Sequence, residues 1–403
     1  MATNAELHSE FLRVFTPNYR PAPIALDRGE GAYVYDVDGN RYLDMVAGIA
    51  VSSLGHAHPR LVKAIEAQAR KLLHTSNLYL NEPAVRLGAK LTALFEGSRV
   101  FFSNSGAEAN EAAIKLARRF HHDRGDRTRR EIVTFEGSFH GRTYGALSAT
   151  AQPKYHEGFE PMPGGFVYVP FGDLEKLDAN VTASTAAIMI EPVQGEGGVR
   201  LPAPGFLAGC RALADRVGAL LIFDEVQTGI GRTGQMFAHQ LESVTPDILT
   251  LAKGLGGGLP IGAMLAKEHV AQSLAFGTHA TTFGGNPVSA SAGLVVLEEL
   301  SAPAVMQRIA SMGQMLMAGL RHISREHGLF SDVRGRGLLI GAELDSSAKF
   351  GAKDIVDACR ARGLLVHIAG PRVLRLAPPL IIEESHVTEA LTALSLAVQG
   401  LTA

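Results

Sequence analysis

Seven short β-rich apolar runs, at 99–103, 131–135, 166–169, 186–190, 219–223, 248–251 and 261–265, recur between segments whose apolar residues return every three or four positions. A run without polar alternation leaves neither face for water, so each suits a strand covered on both sides. In one intervening segment, Ala109, Ala112, Ala113, Leu116, Ala117 and Phe120 fall on a single helical face. That alternation confines the middle of the chain to an α/β unit on a parallel sheet.

The pattern changes beyond about residue 290. Helical spacing at 290–300 and 304–327 gives way to short strands near 337–344 and 373–377, the outline of a second domain. Near the start, Asp38-Gly39-Asn40 is a turn signal between Tyr33-Val34-Tyr35 and Tyr42-Leu43, and this hairpin is expected to pair with the C-terminal part. With 46% hydrophobic residues in 403, the chain has apolar mass for two cores and is no disordered scaffold.

Charge and cysteine content narrow the function classes. Lys and Arg number 38 against 40 Asp and Glu, a net charge of -2, so there is no basic footprint for nucleic acid or an anionic membrane, and small-molecule chemistry is the default. Cys210 and Cys359 lack any C-x-x-C spacing, which excludes a disulfide framework or a zinc knuckle and fits a reducing cytosol. Glu6 and Glu10 stand where a secretory leader would be apolar, and runs such as 218–223 are too short to span a bilayer. A cytoplasmic protein is expected.

Candidate chemistry gathers at strand ends. The run 219–223 leads into Asp224-Glu225-Val226-Gln227, which puts carboxylates at the carboxyl edge of the sheet, where ligands of open α/β sheets bind. A P-loop nucleotide hydrolase also has such a strand, but it needs G-x-x-x-x-G-K-[ST], and the chain contains no Gly-Lys pair. The next run, 248–251, is followed by Ala252, Lys253 and a glycine-rich stretch. An amine kept from water there has a lowered pKa and a free lone pair for a carbonyl, although a lone lysine is ordinarily a solvated charge. Ser105-Gly106-Ala107 opens a helix after a strand and suits a phosphate cradle, or equally an ordinary N-cap. Phe139 can stack on a planar ring and Arg142 can hold a carboxylate or simply face solvent. Gly55-His56-Ala57-His58 has metal-like spacing without a third ligand and is read as a turn, and Arg334-Gly335-Arg336-Gly337 as a turn into a strand. No metal is expected.

Together, Ser105-Gly106-Ala107-Glu108-Ala109, Phe139-His140-Gly141-Arg142, Asp224-Glu225-Val226-Gln227, Leu251-Ala252-Lys253-Gly254 and Thr281-Thr282-Phe283-Gly284-Gly285-Asn286-Pro287 resemble the class III, pyridoxal-phosphate-dependent aminotransferases. The resemblance continues through Gly55-His56-Ala57-His58-Pro59, Glu191-Pro192-Val193-Gln194-Gly195-Glu196 and Leu374-Arg375-Leu376, over essentially the whole chain. It implies the aspartate-aminotransferase type of fold: a large domain at 51–290 with a mixed, mainly parallel seven-stranded sheet, and a small α+β domain from 1–50 and 291–403. Lys253 would bond the cofactor, Asp224 would pair with its ring nitrogen, and Ser105, Gly106 and Ala107 would cradle its phosphate. Phe139 would stack on the ring, and Val226 and Gln227 would wall it. Thr282 would reach the partner subunit's cofactor phosphate and Thr281 the substrate, so the resemblance implies a homodimer with composite sites. Arg142 would bind one substrate carboxylate and Arg375 a second, pairing with Glu196 when that carboxylate is absent.

Ala47-Gly48-Ile49-Ala50-Val51 resembles the ornithine enzymes but lacks their aromatic residue at Ile49. With the run 369–375, the likeness is to the acetylornithine branch, implying N-acetylornithine and 2-oxoglutarate as substrates. Succinylornithine, succinyldiaminopimelate or 4-aminobutyrate enzymes are the alternative, and a non-catalytic protein that binds the cofactor is a remote one.

Overall fold

The computed structural model describes residues 2–402. Strands β1 (Leu26–Glu30), β2 (Tyr33–Asp36) and β3 (Arg41–Asp44) form an antiparallel meander. Its β2–β3 turn is tied by Asp36, whose Oδ1 accepts from Asn40 N at 2.8 Å and Asp38 N at 3.1 Å, while Gly39 supplies a φ of 89°.

The seven apolar runs become β4 (Ser98–Ser103), β5 (Glu131–Phe135), β6 (Phe166–Val169), β7 (Thr185–Ile190), β8 (Leu220–Asp224), β9 (Ile248–Leu251) and β10 (Gly262–Lys267). They form one sheet in the order β4-β10-β9-β8-β7-β5-β6. Every residue of β7, β8 and β9 is buried, as two-faced coverage requires. Only β10 runs against its neighbours. The chain between β9 and β10, residues 252–261, holds a 3₁₀ turn at Lys253–Gly256 rather than a crossover helix, and a parallel return needs a dozen residues or more. Helix Gly106–Asp123 lies on the sheet by the face read from the sequence, with Ala109, Ala112, Ala113, Leu116, Ala117 and Phe120 all buried.

The last strands are β11 (Phe330–Arg336), β12 (Leu339–Leu344), β13 (Leu364–Leu365), β14 (His367–Ile368) and β15 (Val373–Leu376). β13 pairs parallel with β3, so the N-terminal meander is completed from the C-terminal part, and the others form a sheet in the order β11-β12-β15-β14. One expectation is corrected here. Arg334-Gly335-Arg336 is not a turn but the end of β11, with the turn at Gly337. Arg334 is held there by Asp332 and Glu343 at 2.8 and 2.7 Å, and the charged alternation hid the strand. Helix Pro287–Leu300 packs against helices Pro59–Ala69 and Glu82–Leu94, and helix Pro303–His327 against β11 and helix Glu384–Thr402.

No single helix among the described residues is long and apolar enough to cross a membrane; the one qualifying pair, Pro287–Leu300 with Pro303–His327, is bent by 79°. The carboxyl ends of β5, β7, β8 and β9 open on one edge of the large sheet, and the cavity described next lies there.

Candidate active site

A cavity of about 460 Å3 is lined by Ser105, Gly106, Ala107, Phe139, Arg142, Glu196, Asp224, Val226, Gln227 and Lys253, drawn from five separate stretches of sequence. Asp224 is the last residue of β8 and 3% exposed. Its Oδ1 accepts from Val226 N at 3.0 Å, and its Oδ2 accepts from Asn110 Nδ2 at 2.7 Å and meets His140 Nδ1 at 2.7 Å. Glu225 turns away, accepting from Ala238 N and His239 N at 2.5 and 2.8 Å, and its burial pushes its carboxyl up to about 8.

Lys253 opens the 3₁₀ turn after β9 with a φ of 40°, a left-handed conformation that a lysine adopts only under local constraint. It is partly exposed, on the cavity that it lines. Displacement of water by the surrounding protein lowers its pKa, although Glu196, Asp224 and Glu191 favour the charged form. Glu191, which follows β7 and also lines the cavity, is driven the other way: burial and the nearby Asp224 charge raise its carboxyl well above the usual range.

The cradle at the helix start is shaped by close approach. Ser105 caps helix Gly106–Asp123 through Glu108 N at 3.2 Å, so the ordinary N-cap is present as well as the free N–H groups that follow it. A Cβ on Gly106 would lie 2.6 Å from Val226 Cγ1, and one on Gly195 only 1.7 Å from Gln227 Oε1. Glycine at both positions lets the Val226-Gln227 wall close on its neighbours. Phe139 is partly buried and its N donates to Glu191 Oε2 at 3.0 Å. The exposed Arg142 guanidinium lies 3.9 Å from the Tyr155 ring centre.

Arg375 on β15 is 2% exposed and pairs with Glu196 Oε1 at 2.5 Å; Gln227 Nε2 donates to the same oxygen at 3.2 Å. Burial tends to raise the Glu196 carboxyl, but the Arg375 and Lys253 charges outweigh it and hold the carboxyl below its usual value. Arg375 Nη2 is buried with no partner among the described residues, which leaves a cationic donor free for another carboxylate. Arg375 stands behind Glu196 and Gln227 rather than in the cavity lining. Thr281 and Thr282 do not line it either: Thr281 Oγ1 accepts from Asn104 Nδ2 at 3.2 Å, and Thr282 is exposed.

The sequence reading missed Asn110, and quoted His140 and Glu191 only within motifs. A polar residue inside an apolar helical face was the available signal for Asn110. The histidines of 55–59 serve locally: His56 Nε2 meets Asp44 Oδ2 at 2.8 Å, and His58 is the N-cap of helix Pro59–Ala69.

The residues suit pyridoxal phosphate on structural grounds. A lysine of lowered pKa shares the cavity with a carboxylate whose Oδ1 keeps one acceptor position open, beside a glycine-tight helix N-terminus for phosphate. Comparison with known proteins agrees. The Aminotransferase class-III family profile matches residues 14–398. The chain is 49% identical to the acetylornithine aminotransferase of Xanthomonas campestris pv. campestris, covering 100% of both chains. It is 46% identical to an acetylornithine/succinyldiaminopimelate aminotransferase of Yersinia pestis over 97% of this chain and 96% of that one. The crystal structure of N-acetylornithine aminotransferase from Stenotrophomonas maltophilia superposes with a TM-score of 0.84 at 42% identity, covering 95% and 97% of the two chains. This chain therefore belongs to the class-III aminotransferases, enzymes that depend on pyridoxal phosphate.

Proposed function

We propose that this enzyme transfers the terminal amino group of N-acetyl-L-ornithine to 2-oxoglutarate, giving N-acetyl-L-glutamate 5-semialdehyde and L-glutamate. The observation that carries the reading is the Arg375–Glu196 pair beside Lys253, with Arg375 Nη2 unpartnered. The reacting carbon of L-glutamate carries a carboxylate, whereas that of N-acetyl-L-ornithine, at the terminal amine, carries none, so the group beside Lys253 must receive a carboxylate from one substrate and not from the other. A guanidinium neutralised by a movable carboxylate accommodates both shapes. Arg142 at the cavity wall takes the carboxylate that both share.

When bound, pyridoxal phosphate supplies an electron sink for charge developing at the substrate carbon. Nζ of Lys253 would hold the cofactor, and the same amine would take a proton from that carbon and return it elsewhere, its lowered pKa favouring the neutral, basic form. Asp224 keeps the ring nitrogen protonated. Ser105, Gly106 and Ala107 hold the phosphate, Phe139 stacks on the ring, and Val226 and Gln227 close its other side. The large domain at 51–290 carries these groups and the small domain, 1–50 with 291–403, brings Arg375.

Thr282 belongs, in this reading, to the partner subunit's site, with Thr281 facing substrate. Support comes from apolar exposure around it: Leu73, Leu78, Tyr79, Leu80 and Phe283 are 61%, 83%, 73%, 90% and 59% exposed, and Asn77 and Asn286 tie that segment to the 281–286 turn. A second copy of this chain is the occupant proposed for the patch. Cys210 and Cys359 are free and buried, their thiols pushed up to about 12, so neither is a reactive thiolate. Succinylated donors are a second reading, favoured by the name of the Yersinia pestis relative.

The test is spectroscopic. Adding N-acetylornithine without a keto acid should bleach the visible band of the bound cofactor, and 2-oxoglutarate should restore it. A band that bleaches with succinyldiaminopimelate but not with N-acetylornithine would move the enzyme to the second reading.

A further inference from the structure

Two buried polar side chains stand among mainly apolar neighbours and meet each other. Asn110 stands beside Ala109 on the buried face of helix Gly106–Asp123 and is 1% exposed; Thr250 lies within β9 and is 0% exposed. Buried amides and hydroxyls are costly unless satisfied, and these two satisfy each other. Thr250 Oγ1 donates to Asn110 Oδ1 at 2.7 Å, which sets the direction of the amide. The Asn110 NH2 then donates to the His140 carbonyl and to Asp224 Oδ2, both at 2.7 Å. The ladder places Thr250 directly beside Asp224.

A merely structural pair would end on itself, whereas this one ends on the carboxylate at the cavity. Asp224 Oδ2 faces two side-chain groups, from Asn110 and His140, while Oδ1 meets only the Val226 N–H at 3.0 Å. A carboxylate oxygen accepts about two hydrogen bonds, so Oδ2 is filled and Oδ1 keeps one position open. Resting on the reading that Asp224 partners the cofactor's ring nitrogen, we propose that Asn110, locked by Thr250, is a positioning residue that fixes the rotation of Asp224 and commits Oδ1 to that nitrogen. His140, Glu191 and Lys253 share the same space, and of the two side chains on Oδ2, Asn110 and His140, only Asn110 is a group that cannot titrate.

The experiment uses purified holoenzyme with Thr250→Val, Thr250→Ser, Asn110→Ala and Asp224→Asn side by side. Each is titrated with pH through the visible band of the lysine-bound cofactor, and its affinity for pyridoxal phosphate is measured. A ring proton held less firmly withdraws less charge from the lysine-linked nitrogen. The midpoint should therefore rise by about half a unit in Thr250→Val and about one unit in Asn110→Ala, as loss of a hydrogen bond to a charged group implies. Thr250→Ser, which keeps the hydroxyl, should titrate as the parent. Thr250→Val preserves volume, so a folding defect in Asn110→Ala does not spoil the test. If Thr250→Val keeps the parental midpoint while Asp224→Asn moves it, the proposal is overturned, whatever happens to thermal stability. A parental midpoint in Asp224→Asn would instead sink the assignment of Asp224 itself.

Discussion

Several site residues hold positions that other side chains cannot occupy. The Gly106 contact has little room to relax: an added Cβ meets the short, β-branched Val226 at 2.6 Å, and Val226 has no flexible end to move aside. Gly106→Ala should weaken pyridoxal phosphate binding about ten- to a hundredfold, the usual cost of overpacking, as read by absorbance titration of the apoenzyme; unchanged affinity would show that Val226 yields. Glu196 tests the movable pair. Without its carboxylate, Arg375 stays open, so Glu196→Ala should shift the ratio of kcat/KM for the glutamate and N-acetylornithine half-reactions about tenfold toward glutamate. Single-turnover bleaching with each amine measures the ratio, and an unchanged ratio would end the two-shape explanation.

Among the elements, β8 with the turn that follows is the most constrained. Its strand was legible because the buried residues Leu220, Leu221, Ile222 and Phe223 need apolar side chains, ahead of Asp224 at the strand end. The turn was not, because Glu225 reads as a second acidic site group, yet it folds back to hold the backbone of Ala238 and His239. His239 is buried against Phe95 and Phe237 with Nε2 unpartnered among the described residues, and burial pulls its pKa down to about 4. It stays neutral in the folded chain while the unfolded chain binds a proton below about 6.5. Its contribution to stability is therefore present above pH 6.5 and lost as pH falls toward 4. The slope of unfolding free energy between pH 7 and 5, from denaturant titrations, should be shallower in His239→Leu; equal slopes would mean that another group governs that window. The direction of β10 was equally hidden, since apolar content shows burial and not polarity of the chain. Only the brevity of the 252–261 connection decides it.

At the scale of the whole molecule, the proposed homodimer would cover the exposed apolar segment near Thr282 and give Thr281 and Thr282, which do not line their own subunit's cavity, a site to serve. Homodimers of Lys253→Ala and of Thr282→Val should each be impaired, at limiting pyridoxal phosphate. If the sites are composite, heterodimers formed from the two contain one site with both residues intact, so mixing with subunit exchange should recover up to roughly a quarter of the activity per subunit of the parent, half of the dimers having one good site of two. No recovery, with exchange verified by native mass spectrometry of one tagged and one untagged variant, would place Thr282 within its own subunit's chemistry or outside the site.

Local chemistry, present in any stretch of the sequence, determined the apolar runs, the amphipathic helix at 106–123, the Asp38-Gly39-Asn40 turn and the identity of Lys253 and Asp224 as candidates, whereas Arg375 was marked only by the family resemblance. These are legible because periodicity and residue type act over a few neighbours. What the tertiary structure alone decided is long-range. It brought Arg375 to Glu196 across 179 positions and Asn110 to Asp224 across 114. It also set the reversed direction of β10 and the parallel register of β3 on β13, and it supplied the burial that the expected lowering of the Lys253 pKa required. Contacts of that kind depend on the order of strands in the sheet and on which groups are dried by packing, and neither is encoded in the spacing of residues along the chain.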